Sequence, residues 1–161
     1  MSTDERPVVV AFDGSPEAEA AVRAAAGLFP ARTLVVVSVW EPGLALTMTP
    51  PPDGLSGLSY VAPSPETMAM MDRVQHDHAS GTAEAGAALA RELGAEAEPH
   101  PVADEVDIAE TLAGVADERD AAAVVVGSRG LGRVKSALLG STSRGLMHHT
   151  KRPVVVVRAP E

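Results

Sequence analysis

A loop studded with glycine, at 127, 130, 132 and 140, runs into Ser141, Thr142 and Ser143 and follows the apolar run 123–126. Exposed backbone N–H groups at the start of a helix carry partial positive charge, and glycines let a ligand approach them, so this composition suits an anion cradle. The plain alternative is a strand-to-helix connection whose glycines serve only its turns. Arg129 and Arg133 project from the same loop, where a guanidinium would meet phosphate or solvent. Two familiar phosphate motifs fail. A Walker A loop needs Lys then Ser/Thr after its last glycine, whereas Gly132 is followed by Arg133 and Val134; the dinucleotide fingerprint G-x-G-x-x-G appears only in reversed spacing.

Asp13 is the second candidate. It follows the first apolar run, 7–12, and an acid at the carboxyl end of a first strand faces the crevice where open α/β sheets bind ligands. Its other reading is a turn carboxylate. Glu41 stands where a dinucleotide fold would place a ribose acid, but the failed fingerprint weakens that reading. His76 and His78, two apart, diverge on a helix, as do the neighbours His148 and His149, so neither pair suits a metal. The methionines at 68, 70 and 71 suit packing or an interface.

The elements that must hold these residues follow from punctuation and period. Apolar runs at 7–12, 33–40, 123–126 and 153–158 read as strands, those at 33–40 and 123–126 as buried on both faces of a parallel sheet. The stretch 95–102 carries Pro99 and Pro101 and predicts a short edge strand. Ser15-Pro16-Glu17 and Ser64-Pro65-Glu66 are matching helix starts. The second of these helices should be the longest, running to Leu93 with Gly94 as its stop. Asp104 is expected to cap a third helix, with Asp107 reinforcing its first turn, and a fourth should span 141–149. Between 42 and 65 lies a long Pro/Gly-rich loop, a flap beside the site, an arm at a subunit contact or a surface insertion. The order β-α-β-loop-α-β-α-β-α-β predicts an α/β fold: a single domain over 1–161, with a Rossmann-like, doubly wound parallel sheet of five strands and four helices. Strands one and four lie at its centre, so that Asp13 and the Gly127 loop meet at the topological switch point.

Composition narrows the partners. With 22 acidic against 13 basic side chains the net charge is −9, which disfavours nucleic acid and anionic membrane. No run approaches the ~20 apolar residues of a membrane span, and the first residues are charged, so a cytoplasmic protein is expected. The absence of cysteine excludes disulfides and thiolate chemistry.

Gly127, Gly130, Gly140 and Ser141 realise the spacing G-x2-G-x9-G-[ST], and with VVVAFDGSPEAEAAVRAA, VVVSVWEP and LLGSTSRGLMHHTKRPVVVVR the chain resembles the universal stress protein family in its ATP-binding branch. The resemblance implies ATP, or ADP or AMP, held by its adenine on the main chain at Val39 and by its ribose at Asp13. It implies phosphates on the loop and helix start, at Gly127, Arg129, Gly130, Gly140, Ser141, Thr142 and Ser143, with Mg2+ a possible companion. One departure is Ser38, where family members often carry histidine. The resemblance also implies a homodimer paired through strand 153–158, which would otherwise be an open edge. Three function classes stay open: a nucleotide-dependent regulator, favoured; a slow ATPase or phosphate-transfer enzyme, for which no base beyond Asp13 can be nominated; and a dimeric interaction protein without nucleotide.

Overall fold

The structure is a computed structural model and describes residues 5–43, 63–104, 106–129 and 140–160. Its valine-rich runs form strands because β-branched side chains are stiff at χ1 and pack well on a pleated surface. β1 (Val8–Ala11), β2 (Leu34–Trp40), β3 (Ala97–Ala103), β4 (Ala123–Gly127) and β5 (Val154–Val157) pair in parallel in the order β3-β2-β1-β4-β5. Four helices connect them: α1 (Pro16–Leu28), α2 (Pro65–Glu92), α3 (Ile108–Glu118) and α4 (Ser141–His149). This is the expected doubly wound α/β architecture, with β1 at the centre and β4 beside it.

Strand alternation splits the core into two layers. Val8, Val10, Leu34, Val36 and Val125 pack against Ala21 and Val22 of α1 and Ala87 and Ala90 of α2. Val9, Val35, Val37, Val124 and Val126 pack against Leu112 and Ala116 of α3 and Leu146 of α4. Each such buried Val or Leu contributes roughly 1.5–3 kcal/mol as an upper estimate, so the core on both faces is predominantly aliphatic, with Phe12 its buried aromatic among the described residues.

The helix starts follow the sequence signals in two cases. Ser15 Oγ accepts the Ala18 N–H and Ser64 Oγ accepts the Thr67 N–H, each at 3.2 Å. α3 differs: Asp107, not Asp104, is its cap, accepting the Glu110 N–H at 2.9 Å. The reason lies in the strand before it. The Asp104 N–H donates to the Trp40 carbonyl at 2.7 Å, so Asp104 still belongs to the ladder and cannot begin a helix. Its Oδ1 instead accepts the Val106 N–H and the Thr111 hydroxyl, tying the loop to α3 from outside.

β3 is an edge strand but not a short one, with seven residues like β2. The Glu96 carbonyl accepts the Leu34 N–H and the Asp104 N–H reaches Trp40, so even-numbered residues of β3 face β2. Pro99 and Pro101 therefore face outward, where no ladder donor is needed.

α2 meets the sheet through a stripe of small residues, Ala79, Ala83, Gly86, Ala87 and Ala90. A Cβ on Gly86 would stand 2.8 Å from the Phe12 ring and from Val36 Cγ1, so only glycine permits this approach. Residues 65–78 of α2 include no buried position. Two contacts tie this half to the end of β2: Asp72 Oδ1 accepts the Gly43 N–H at 2.8 Å, and the His76 ring meets Trp40 edge-on at 5.9 Å. Of the expected 42–65 loop, residues 44–62 lie outside the described residues. Among the described residues no helix is long and apolar enough to cross a membrane.

Candidate functional site

The chain leaves β1 toward β2 on one side and returns to lay β4 on the other, which opens a crevice at the carboxyl ends of β1 and β4. Asp13 stands at its mouth, exposed, with Oδ1 accepting the Ser15 N–H at 2.9 Å. Gly14 beside it has φ +80°, a value that L side chains rarely adopt, so the tight exit from β1 requires glycine there. Asp13 thus has the turn role and the crevice position together.

Val39 contributes main chain. The Val37 carbonyl accepts the Phe12 N–H at 2.8 Å, which shows that odd-numbered residues of β2 aim their backbone groups at β1. Val39 points the same way two residues later, after the β1–β2 register has ended at the pair Ala11 and Val37. Its N–H and C=O therefore face the space that β1 vacates.

The glycines of the loop have different causes. A Cβ on Gly127 would lie 2.9 Å from the Glu17 main chain, so this glycine admits the first turn of α1 rather than a ligand. Gly140 donates its N–H to the Ser128 carbonyl at 2.7 Å, and a Cβ there would stand 3.2 Å from that same oxygen. The Gly140 amide is thereby engaged in anchoring α4 to the end of β4. Gly130 and Arg133 lie outside the described residues, and Arg129 is exposed.

Ser141, Thr142 and Ser143 form the first turn of α4, whose ladder begins only with the Arg144 N–H to the Gly140 carbonyl at 3.1 Å. Among the described residues no side chain caps this helix, in contrast to α1, α2 and α3. The three amides before Arg144 stand outside the helical ladder at the positive end of the dipole. Ser143 is buried and its hydroxyl donates to the Gly140 carbonyl at 3.1 Å, so it braces the turn from within.

A cleft of about 400 Å³ opens beside that turn, lined among the described residues by Glu41, Asp104, Asp107, Ser141, Thr142 and Gly145, with Val106, Ile108 and Ala109 completing its wall. The structure thus joins Ser141 and Thr142 to the ends of β2 and β3, while Asp13, Val39, Gly127 and Arg129 are not among the cleft residues. Sequence reasoning missed Asp104, Asp107 and Gly145 as walls of a site. A Cβ on Gly145 would come 2.7 Å from Ala109 Cβ, so this glycine sets the crossing of α4 on α3. A lone glycine inside a helical pattern was the available signal. His149 Nε2 lies 3.8 Å from Asp107 Oδ2 across the same crossing. Among the described residues no group of three His, Cys, Asp or Glu could hold a metal ion.

The sequence profile described as the universal stress protein family matches residues 5–158. The chain is 32% identical over 173 residues to the universal stress protein PHOS34 of Arabidopsis thaliana, an alignment covering 97% of this chain and 63% of that protein. It is 30% identical to a universal stress protein of Mycobacterium tuberculosis, covering 93% of this chain and 46% of that one. The chain thus spans about half to two thirds of the length of these curated relatives. Among solved structures, a universal stress protein from Archaeoglobus fulgidus superposes with a TM-score of 0.66 at 25% identity, covering 94% of this chain and 98% of that one. The same fold recurs in structures described as complexes. One is the Archaeoglobus fulgidus protein with dAMP (TM-score 0.65, 23% identity), and another is a universal stress protein with cAMP (0.63, 22%). A third is an Arabidopsis thaliana family member with AMP bound (0.57, 16%).

Proposed function

Because the chain belongs to the universal stress protein family, we propose that it binds an adenine nucleotide and works as a nucleotide-dependent regulator in a cytoplasmic stress response. The observation that carries this reading is the first turn of α4, set at the carboxyl end of β4 and without a side-chain cap among the described residues. A helix start whose amides lack a side-chain acceptor is suited to phosphate oxygens. The complexes of structural relatives with dAMP, cAMP and AMP support the choice of an adenine nucleotide.

In this reading the main chain of Val39 meets the adenine edge, Asp13 the ribose, and the amides of Gly130, Ser141 and Thr142 the phosphates. Arg129 supplies counter-charge. Gly127 and Gly140 act indirectly, by admitting α1 and anchoring α4. Ser143 stiffens the turn through the Gly140 carbonyl. Mg2+, if it accompanies the phosphates, is held chiefly by them and by water.

The reading includes a homodimer formed through β5. The Pro153 and Val157 carbonyls face β4, accepting from Val124 and Ser128. Even-numbered residues of β5 therefore turn their N–H and C=O outward, and neither Val154 nor Val156 is a proline. The opposite edge is blunted by Pro99 and Pro101, and the Ala97 carbonyl there is covered by Arg91 at 3.0–3.1 Å.

Calorimetric titration with ATP, with and without Mg2+, followed by a phosphate-release assay on the same sample, tests the reading. Saturable binding without turnover is the expected result. Turnover would favour a slow ATPase instead, and absence of binding in protein shown to carry no nucleotide would leave a dimeric interaction protein.

A further inference from the structure

Charge is distributed unevenly along this acidic chain. Seven of its 13 Lys and Arg, and none of its 22 Asp and Glu, fall within residues 121–160. The described part of that segment supplies β4, α4 and β5, with Arg129, Arg144, Lys151, Arg152 and Arg158, so the sheet order places these on one flank, while β3, β2 and α2 occupy the other. On the basic flank Arg129, Arg144, Lys151 and Arg158 are exposed. The acids reaching it from α3 and its following turn, Asp117 and Asp120, are engaged by Arg152 at 3.2 and 2.7 Å. From α1, which packs on the other face of β5, Glu19 pairs with Arg23 at 3.3 Å, and Glu17 is the remaining acid of that helix. At the first turn of α4, Glu41, Asp104 and Asp107 line the adjoining cleft, Asp107 lying 3.8 Å from His149, and Glu161 follows the segment in sequence.

The two proposed functions of this flank are joined by two hydrogen bonds. The Gly140 N–H donates to the Ser128 carbonyl, and the Ser128 N–H donates to the Val157 carbonyl, both at 2.7 Å. The start of α4 is therefore linked to the end of β5, just before Arg158, through the single residue Ser128. Self-pairing along β5 would set one basic flank against its copy. Over a screening length of about 8 Å at physiological ionic strength, it is this local positive charge, rather than the net −9 of the whole chain, that the partner meets.

We propose that nucleotide phosphate is the counter-charge that allows two copies to pair along β5, so that dimer strength follows the charge of the bound nucleotide: triphosphate above monophosphate, monophosphate above nucleoside. This rests on the nucleotide-binding, β5-pairing reading above and adds its regulation. An anion held at the first turn of α4 lowers the positive potential at Arg158 and Lys151, and each copy in the pair gains the same relief.

Sedimentation equilibrium of the full chain at about 50 mM and about 300 mM salt tests it, with adenosine, AMP or ATP each at a concentration that calorimetry shows to be saturating. At low salt the dimer is expected to be about tenfold tighter with ATP than with adenosine, with AMP between them, and the spread to shrink to about twofold at high salt. Arg158→Gln is expected to tighten the nucleotide-free dimer about threefold and to reduce the advantage of ATP. ATP-saturated protein that dimerises no better than with adenosine, or that stays monomeric, overturns the proposal and leaves nucleotide binding intact. Absence of ATP heat removes the nucleotide-binding reading itself, and this proposal with it.

Discussion

Asp13 carries two demands on one carboxylate. Its Oδ1 already accepts the Ser15 N–H, so a substitution that removes the oxygen disturbs the turn as well as any ligand. Asp13→Asn retains an acceptor oxygen and removes the charge; we expect ATP affinity to fall about tenfold by calorimetry, about 1.4 kcal/mol, with the melting temperature unchanged. His100 on β3 belongs to the same scale. Burial first, and then the neighbouring Arg119 guanidinium, hold its pKa below the usual histidine value of 6.5, with Glu98 and Glu118 opposing. The neutral ring is thus favoured in the folded state, and below about pH 6.5 the unfolded chain binds more protons. The stability associated with His100 is complete above that pH and is lost as pH falls toward the lowered folded value. Denaturant titrations should show the wild type losing more stability than His100→Gln between about pH 7.5 and 5.5.

The elements were largely legible in the sequence, and the places where they were not share one cause. Ser15 and Ser64 announce their helices because the capping signal is local. The choice between Asp104 and Asp107 was not local: it depended on β3 extending far enough for the Asp104 N–H to reach Trp40. Gly127 and Gly140 were read in the sequence as room for a ligand. Their immediate neighbours are Glu17 of α1 and the Ser128 carbonyl, contacts that appear only when the chain has folded. The prolines of β3 gave the edge correctly and the length wrongly, since both fall on outward positions. The same alternation yields a test for β5. Val156 points its N–H away from β4, so Val156→Pro removes an outward donor without removing a bond inside the sheet. Size-exclusion chromatography should find this variant monomeric with native circular dichroism, whereas Val155→Pro breaks the ladder to β4 and should destabilise the fold.

Across the whole molecule, ligand binding and stability are linked through mass action. A nucleotide present at about one hundred times its dissociation constant stabilises the native state by about 2.7 kcal/mol. For a chain of this size that corresponds to a rise in melting temperature of roughly 5–10 °C. ATP should produce that rise in scanning calorimetry and adenosine at the same concentration a smaller one, because in the proposed reading the helix start holds the phosphates. The segregation of charge was present in the sequence from the beginning. Its meaning was hidden because a run of 40 residues without an acid becomes a flank only when the sheet order places β4 and β5 together at one end.

The edge-on contact between Trp40 and His76 gives the molecule a reporter of its own. Trp40 is the sole indole of the chain and immediately follows Val39 in β2. Its emission therefore registers events at the end of that strand without any label. A base settling on the main chain of Val39 would alter the polarity around the ring. The colour of the emission could then report occupancy in the unmodified protein and in real time.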